Sequence, residues 1–146
     1  MESIIYIKRQ SISMIKNFPN NLAIYLDSGQ ELFYNFSADD RKAMYDKVVY
    51  SVIGYYADLY GHKFDCNTFI SNGIIVPKIV AIGPVVACPY ISPVQYFQFI
   101  VSLQGGYVQT FDFEFEDDAH KAQDSLCELV DWVSPVGSIF IYKHNS

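Results

Sequence analysis

The acidic run between Asp112 and Asp118 is the densest group of side chains in this sequence that could do chemistry. Alternate residues of a strand share a face, so Asp112, Glu114 and Glu116 would lie together, opposite the intervening phenylalanines. These carboxylates could hold a metal ion for metal-assisted catalysis, or they could form an acidic patch for a basic partner. The simplest interpretation is a solvated strand face before a helix start, because the run lacks the DxDxDG-type spacing of calcium loops.

A second candidate is the set His120, Asp124 and Cys127, whose spacing places the three side chains on one face of a helix. A cysteine–histidine pair could act as a nucleophilic site. However, seven residues of helix span about 10 Å, which is too far for a direct hydrogen bond between the two side chains. We therefore predict no catalytic residue here, and an exposed or interface cysteine.

Cofactor and anion sites have little support in the sequence. The Gly105-Gly106 pair lacks the spacing of a dinucleotide or Walker loop, and His62 and His144 have no partners at metal-ligand spacing. We predict no cofactor and no metal. A pocket for an anionic ligand would have to use one of a few cationic side chains: Lys8, Arg9, Lys16, Arg41 or Lys42.

The outward face of the first predicted helix is the third candidate. Lys47 and Tyr50 lie on this face, and Met44, Val48 and Tyr55 add apolar area at its side. The helix is therefore less cleanly amphipathic than the second predicted helix. Either the chain buries this extra area itself, which the prevalence of intramolecular burial favours, or the helix meets another chain.

Composition limits the class of protein that must position these residues. The 146 residues are 51% hydrophobic and 18% charged, which excludes intrinsic disorder and suits one domain over residues 1–146. The net charge of −6 argues against a nucleic-acid partner. No run approaches the roughly 20 apolar residues of a membrane span, and an acid follows Met1 where a signal peptide carries positive charge. With three cysteines in no CxxC spacing, we expect a cytoplasmic protein.

An internal repeat appears when the sequence is offset by 77 residues, which aligns units at about 1–60 and 78–134. Each unit predicts a strand, a glycine-containing turn, a second strand and a helix with an acidic start. The aligned turns are Asp27-Ser28-Gly29 and Gln104-Gly105-Gly106. The fold class is thus α+β: an antiparallel sheet built from the two units, with two main helices on one face and a C-terminal strand at 138–142.

The absence of a catalytic motif and the surplus of tyrosine and phenylalanine favour a non-enzymatic binding protein that acts through a protein surface. We predict a small acidic inhibitor or immunity-type protein, of the kind that a phage could encode against host defence. Its candidate binding residues are Lys47, Tyr50, Asp112, Glu114 and Glu116, its partner is a protein with basic character, and it could form a homodimer. The first alternative is a protein that sequesters a small ligand or nucleotide between repeats or subunits. The second is a metal-assisted enzyme that uses the carboxylates of Asp112–Asp118.

Overall fold

The computed structural model describes residues 6–60, 69–89 and 95–133. Within them the predicted α+β class is confirmed by two long helices and two antiparallel sheets. The first sheet contains β1 (Ile12–Asn17), β2 (Leu22–Leu26), β3 (Glu31–Tyr34), β4 (Ile70–Ser71) and β5 (Ile74–Ile75). Their spatial order is β3-β2-β1-β5-β4.

The second sheet is built around one long central strand. It contains β6 (Ile79–Ile82), β7 (Val86–Pro89), β8 (Gln95–Leu103) and β9 (Val108–Phe113). Strand β8 pairs with β9 along one side, and with β7 and then β6 in succession along the other. The second sheet is therefore three strands wide. Strand β8 is central, β9 forms one edge, and β6 and β7 together form the other edge.

A helix follows each hairpin, as predicted. Helix α1 (Ala38–Leu59) follows β3, and helix α2 (Glu116–Val133) follows β9. The predicted N-cap of α1 is confirmed, because the Ser37 hydroxyl accepts a hydrogen bond from the Asp40 N–H at 3.3 Å. Both helices carry acids in their first turns, where the helix dipole stabilises negative charge.

The arrangement of the sheets differs from the single sheet that we predicted, with both helices on one face. Helix α1 packs on the first sheet through β1, whereas α2 packs on β8 and β9 of the second. The helical turn Val76–Lys78 separates β5 from β6. It contains Pro77, which lacks the N–H that a continuing strand would donate. The chain is therefore redirected here, and the second unit begins a new sheet.

Strand β1 divides the core into two clusters, because its neighbouring side chains point to opposite faces. Ile15 lies on the α1 side with Val52 and Tyr56. Met14 lies on the other side, where it packs with Phe99 of the second unit. The first sheet is thus covered by α1 on one face and by the second unit on the other.

The hairpin turns of the two units share their hydrogen bonds at the predicted offset. The Gly29 N–H donates to the Leu26 carbonyl, and the Gly106 N–H donates to the Leu103 carbonyl, 77 residues further on. Leu26 and Leu103 in turn donate to the carbonyls of Gln30 and Tyr107. This agreement concerns local geometry; a repeat that extends over both units stays a prediction. The predicted C-terminal strand at 138–142 lies outside the described residues.

Candidate binding cleft between an edge strand and a helix

A cleft lies where the second unit meets the first, and its volume is about 720 Å3. One wall is strand β9, which contributes five consecutive residues, and the opposite wall is helix α2. The first sheet contributes Lys16 from β1 and Ser71 and Asn72 from the β4–β5 hairpin. The remaining lining residues are Phe99, Gln109, Thr110, Phe111, Asp112, Phe113, Ala122, Ser125, Leu126 and Leu129.

Strand β9 has an edge beside this cleft that no other described strand covers. Among the described residues it pairs only with β8, in an unshifted register from Phe97↔Phe113 to Ser102↔Val108. Because the Leu103 N–H bonds to the Tyr107 carbonyl, alternation of the ladder turns the odd-numbered residues of β9 towards β8. The N–H and C=O groups of Val108, Thr110 and Asp112 therefore point away from β8, into the space beside the strand.

The floor of the cleft is aromatic. The Phe99 ring packs against Phe111 and Phe113, with centroid separations of 5.1 and 5.9 Å and interplanar angles of 12° and 11°. Phe99 is 1% exposed, whereas its two neighbours on β9 are half-buried. The inner face of β9 thus offers two partly accessible rings, while alternation places the Thr110 and Asp112 side chains on the outer face.

Helix α2 forms the second wall through one of its faces. Ala122, Ser125, Leu126 and Leu129 have the i, i+3, i+4, i+7 spacing of a single helix stripe. The Gln123 side chain, beside this stripe, donates to the Gly83 carbonyl at 2.7 Å and ties the helix to the strand pair β6–β7. The wall is therefore held against the sheet by a side chain that does not line the cleft.

Lys16, from the end of β1, supplies the cationic group of the cleft. Its Nζ donates to the Asn72 carbonyl at 2.9 Å, and burial lowers the pKa of this half-buried ammonium. Asn72 has a φ of 53° and Gly73 a φ of 80°, which is the geometry that an Asn-Gly hairpin turn requires. A Cβ on Gly73 would overlap the Ile15 carbonyl oxygen, so glycine lets this turn pack directly on β1 beside Lys16.

The cleft continues beyond Lys16 into a second space of about 460 Å3. Lys16 and Gln109 line both spaces. Tyr25 and Tyr107 lie at the far side with ring centroids 5.1 Å apart, and the Tyr107 hydroxyl donates to the Gln30 carbonyl at 2.9 Å. Burial, together with the charge of Glu31, raises the pKa of both tyrosines.

Next to this second space, the hairpin turns of the two units touch, and we call this contact the turn junction. The Lys78 ammonium lies 2.9 Å from Asp27 Oδ2 and 3.5 Å from Gln104 Oε1. Asp27 and Gln104 are aligned by the 77-residue offset, so one lysine bridges equivalent positions of the two turns. Gly105 makes the approach close, because a Cβ there would lie 2.6 Å from the Leu26 carbonyl oxygen.

The acidic candidates lie at the far end of β9, but not on one strand face as predicted. The strand ends at Phe113, and Glu116 already belongs to the first turn of α2. Asp112 accepts a hydrogen bond from the Gln98 amide at 2.9 Å on the outer face of the sheet. Since the strand ends early, Phe115 is 61% exposed instead of facing the core. Binding by Asp112, Glu114 or Glu116 stays a prediction.

The candidates on α1 lie far from the cleft lining. Tyr50 is 71% exposed and Lys47 is also exposed. Met44, Val48 and Tyr55, in contrast, pack against the α1 side of the core, so the chain buries the side of the helix but not Tyr50. A binding role for Lys47 and Tyr50 stays a prediction.

The helical set His120, Asp124 and Cys127 has the geometry expected from its spacing. His120 Nε2 lies 3.4 Å from Glu116 Oε1, one turn earlier in the helix. Burial, and then the Asp124 charge, raise the pKa of the Cys127 thiol, which disfavours the nucleophilic thiolate. In the described parts of the chain, no three His, Cys, Asp or Glu side chains are grouped to hold a metal ion.

Sequence reasoning named Lys16 among five cationic candidates, but it missed the cleft itself. Phe111 and Phe113 were assigned only to an apolar strand face, and the α2 stripe only to the core. The 77-residue offset contained a usable signal, because it sets Ala122 and Ser125 against Tyr45 and Val48. Smaller side chains at aligned positions predict less filled space between helix and strand.

No protein-family model matches this chain, and neither a curated protein nor a solved structure matches it. None of the helices within the described ranges combines the length and hydropathy needed to cross a membrane.

Proposed function

We propose that this is a non-enzymatic binding protein that holds an extended segment of a partner protein along the free edge of β9. The observation that carries the proposal is a 720 Å3 cleft whose wall is five consecutive residues of an unpaired strand edge, faced by a helix stripe. A segment that adds to a sheet edge gains main-chain hydrogen bonds, and its alternate side chains fill pockets beside the strand. The edge and the helix stripe supply these two elements.

Strand β9 differs from the other outer strands in being long and uninterrupted. The β6–β7 side has a register shift between Ile79 and Ala81 and Pro84 in its link, both of which hinder the addition of a strand. Strands β3 and β4, at the edges of the first sheet, have four and two residues. Of the described edges, that of β9 is best suited to pair with another chain.

The lining indicates which side chains the segment would carry. Residues that point inwards would meet Phe111, Phe113 and Leu126, so we expect apolar residues at alternate positions. Residues that point outwards would lie beside Asp112, where a basic side chain forms a favourable cross-strand pair. A partner of basic character and an inhibitory or immunity role remain part of this proposal.

The described lining of the cleft contains no histidine or cysteine, and its carboxylate, on Asp112, is bonded to Gln98 on the outer face. This composition favours binding over acid–base or nucleophilic catalysis. We therefore prefer a binding protein to the metal-assisted enzyme.

The test removes one main-chain donor from the edge. Random heptapeptides displayed on phage are selected on the full-length protein, and a selected peptide is synthesised for fluorescence polarisation. Thr110→Pro deletes an N–H that points away from β8, so it leaves the β8–β9 ladder intact. We expect it to weaken binding at least about tenfold, which corresponds to 1.4 kcal/mol.

The matched control is Thr110→Ala, which removes the same side chain but keeps the N–H. It should bind within about twofold of the unmodified protein, since hydrogen-bond loss is confined to the proline variant. Equal affinities of the proline and alanine variants, with both folded by circular dichroism, would exclude pairing at this edge. A library that yields no binder at all would also contradict the proposal.

A small molecule is the second candidate, because 720 Å3 lies within the range of small-ligand sites, about 300–1,000 Å3. Native mass spectrometry of gently purified protein tests it directly. An added mass that is lost on denaturation would favour a sequestered ligand. A spectrum of the bare chain alone would favour the protein segment.

A further inference from the structure

We infer that Lys16 is the specificity-determining residue of the cleft, and that it selects an Asp or Glu side chain on the bound segment. This inference rests on the proposed function and names the chemistry that the segment must carry. Lys16 lines the cleft from β1, and Lys16 and Gln109 of the edge strand both line the cleft and the smaller space. A segment added to β9 beside Gln109 would therefore enter the spaces that Lys16 lines.

The first argument is the contrast between Lys16 and the other buried lysine. The Lys78 side chain is 12% exposed, and its charge is balanced by Asp27 at 2.9 Å. Lys16 is half-buried too, but its described hydrogen bond goes to the neutral carbonyl of Asn72. No described carboxylate lies within ion-pair distance of the Lys16 ammonium. A desolvated charge without a counter-ion is costly, and an acidic group on a ligand would remove that cost.

The second argument concerns the carboxylates that border the cleft, since one of them could have served as the counter-ion. Asp112 is bonded to Gln98 on the outer face of the sheet. Glu31 lines the smaller space but is exposed at the start of β3. Neither forms an ion pair with Lys16. One of the three ammonium donors goes to the Asn72 carbonyl, so the others are available to a bound acidic group.

The third argument separates an acidic side chain from a chain terminus. The cleft continues past Lys16 into the space lined by Tyr25 and Tyr107. A bound chain can therefore extend on both sides of the ammonium, whereas capture of a terminal carboxylate is typical of a backbone nest at the end of a groove. We assign Lys16 to an internal Asp or Glu of the segment.

The experiment uses the full chain and two phage libraries of random heptapeptides. In one library the peptide is fused at its C-terminus, and in the other it ends in a free carboxylate. The baits are the unmodified protein, Lys16→Met, and the charge-retaining Lys16→Arg. Lys42→Met is the control, because Lys42 lies on α1 with a side chain that is 76% exposed and paired with Asp46.

We expect the unmodified protein, Lys16→Arg and Lys42→Met to enrich an acidic residue at one position of the fused library, and Lys16→Met to lose that enrichment. For a synthetic peptide from this selection, the unmodified protein should prefer Glu over Gln at that position by about tenfold. For Lys16→Met the preference should fall to about twofold or less. Binding by Lys16→Met of peptides without the acid shows that the variant is folded.

Three outcomes would overturn the inference. Equal acid enrichment on Lys16→Met would place the selection elsewhere. Peptides selected without any acid preference would remove the role of Lys16, while binding along β9 would stand. Enrichment confined to the free-carboxylate library would show recognition of a chain terminus. The proposed function itself fails only if Thr110→Pro binds like Thr110→Ala or if neither library yields a binder.

Discussion

Strands β3 and β9 occupy aligned positions in the two units, but the space between strand and helix is filled beside β3 and open beside β9. Each is the second strand of a hairpin closed by the same hydrogen bonds, and each is followed by a helix. In the first unit, the 77-residue offset places Tyr45 and Val48 on the helix face, and both pack in the core. In the second unit, Ala122 and Ser125 occupy these positions and line the cleft. Two smaller side chains thus distinguish a filled unit from an open one.

The strands themselves show the same contrast. Leu32 and Tyr34 of β3 pack against the α1 side of the core, and the strand is four residues long. Strand β9 is six residues long, and its inner-face rings Phe111 and Phe113 remain half-buried. The same hairpin-plus-helix arrangement is therefore filled in the first unit and open in the second, where we propose that it binds a partner. The smaller side chains of Ala122 and Ser125 accompany this difference.

The largest expected effect is on the free energy of unfolding, at the turn junction. One added methyl group tests whether this contact between the hairpin turns needs a glycine. Gly105→Ala would introduce a Cβ at 2.6 Å from the Leu26 oxygen, at a residue whose φ is 99°. We expect a loss of about 3 kcal/mol in the free energy of unfolding, because steric overlap adds to backbone strain. Urea denaturation gives the value.

Gly106→Ala is the control for this turn. Its φ of 86° is also positive, but no atom lies within 4 Å of the new Cβ. The expected loss is therefore only the conformational cost, about 1 kcal/mol. Equal losses for the two variants would show that the close approach of the turns does not need Gly105.

The next largest expected effect is on peptide affinity. The variant is designed to fill the cleft of the second unit. Ala122→Tyr installs the residue that α1 has at the aligned position, and its ring should occupy the space beside Phe111. We expect affinity for a selected peptide to fall about 30-fold, or 2 kcal/mol, with no loss of thermal stability. Fluorescence polarisation and a melting curve measure both quantities.

The reciprocal variant, Tyr45→Ala, should behave in the opposite way. It removes a partly buried ring from the packed unit, so we expect about 2 kcal/mol of destabilisation and unchanged peptide affinity. Normal peptide binding by Ala122→Tyr, or weakened binding by Tyr45→Ala, would contradict the assignment of packing to the first unit and binding to the second.

The smallest expected effects are changes in the free energy of unfolding, and they differ between Lys78 and Lys16. Lys78→Met leaves Asp27 without its partner at a site where the carboxylate is one-third exposed, so we expect a loss of about 1–2 kcal/mol. Lys16→Met removes a hydrogen bond to Asn72 but also a desolvated charge. Loss of the hydrogen bond destabilises the protein and loss of the desolvated charge stabilises it. The free energy of unfolding should therefore change by less than about 1 kcal/mol.

The pH dependence of the unmodified protein relative to Lys16→Met sharpens this contrast. The pKa of Lys16 in the folded state lies below its ordinary value of 10.5, so between these values the unfolded state binds more protons. Stability of the unmodified protein should therefore rise with pH relative to the variant across that window. Asp112 at the border of the cleft, and Tyr25, Tyr107 and Glu31 of the smaller space, are present in both proteins and cancel in the difference. A flat difference would contradict a lowered pKa for Lys16.

The local elements were predictable from sequence because short-range chemistry determines them. Ser37 caps α1 through its own hydroxyl, and Gly29 and Gly106 adopt the positive φ that their turns require. The division into two sheets was not predictable from hydrophobic alternation, which gives the faces of a strand but not its neighbours. That division depends on how the turn at Pro77 redirects the chain.

The cleft could not be predicted from the sequence, for a related reason. Phe111 and Phe113 have the alternation of a buried strand face, and the small side chains of Ala122 and Ser125 on the facing helix accompany the accessibility of their rings. Lys16 likewise could not be separated from four other cations by sequence. Its distinction arises from the Asn72-Gly73 turn, which lies more than fifty residues away and covers it.

The burial of Met14 and Ile74 on the far face of the first sheet has a consequence for protein synthesis. Their partners Phe99, Val101 and Leu103 belong to β8 and are translated after the whole first sheet. A nascent chain that has just completed the first sheet would therefore expose an apolar sheet face to solvent. Release of that chain before β8 emerges would produce an aggregation-prone fragment rather than a smaller working domain.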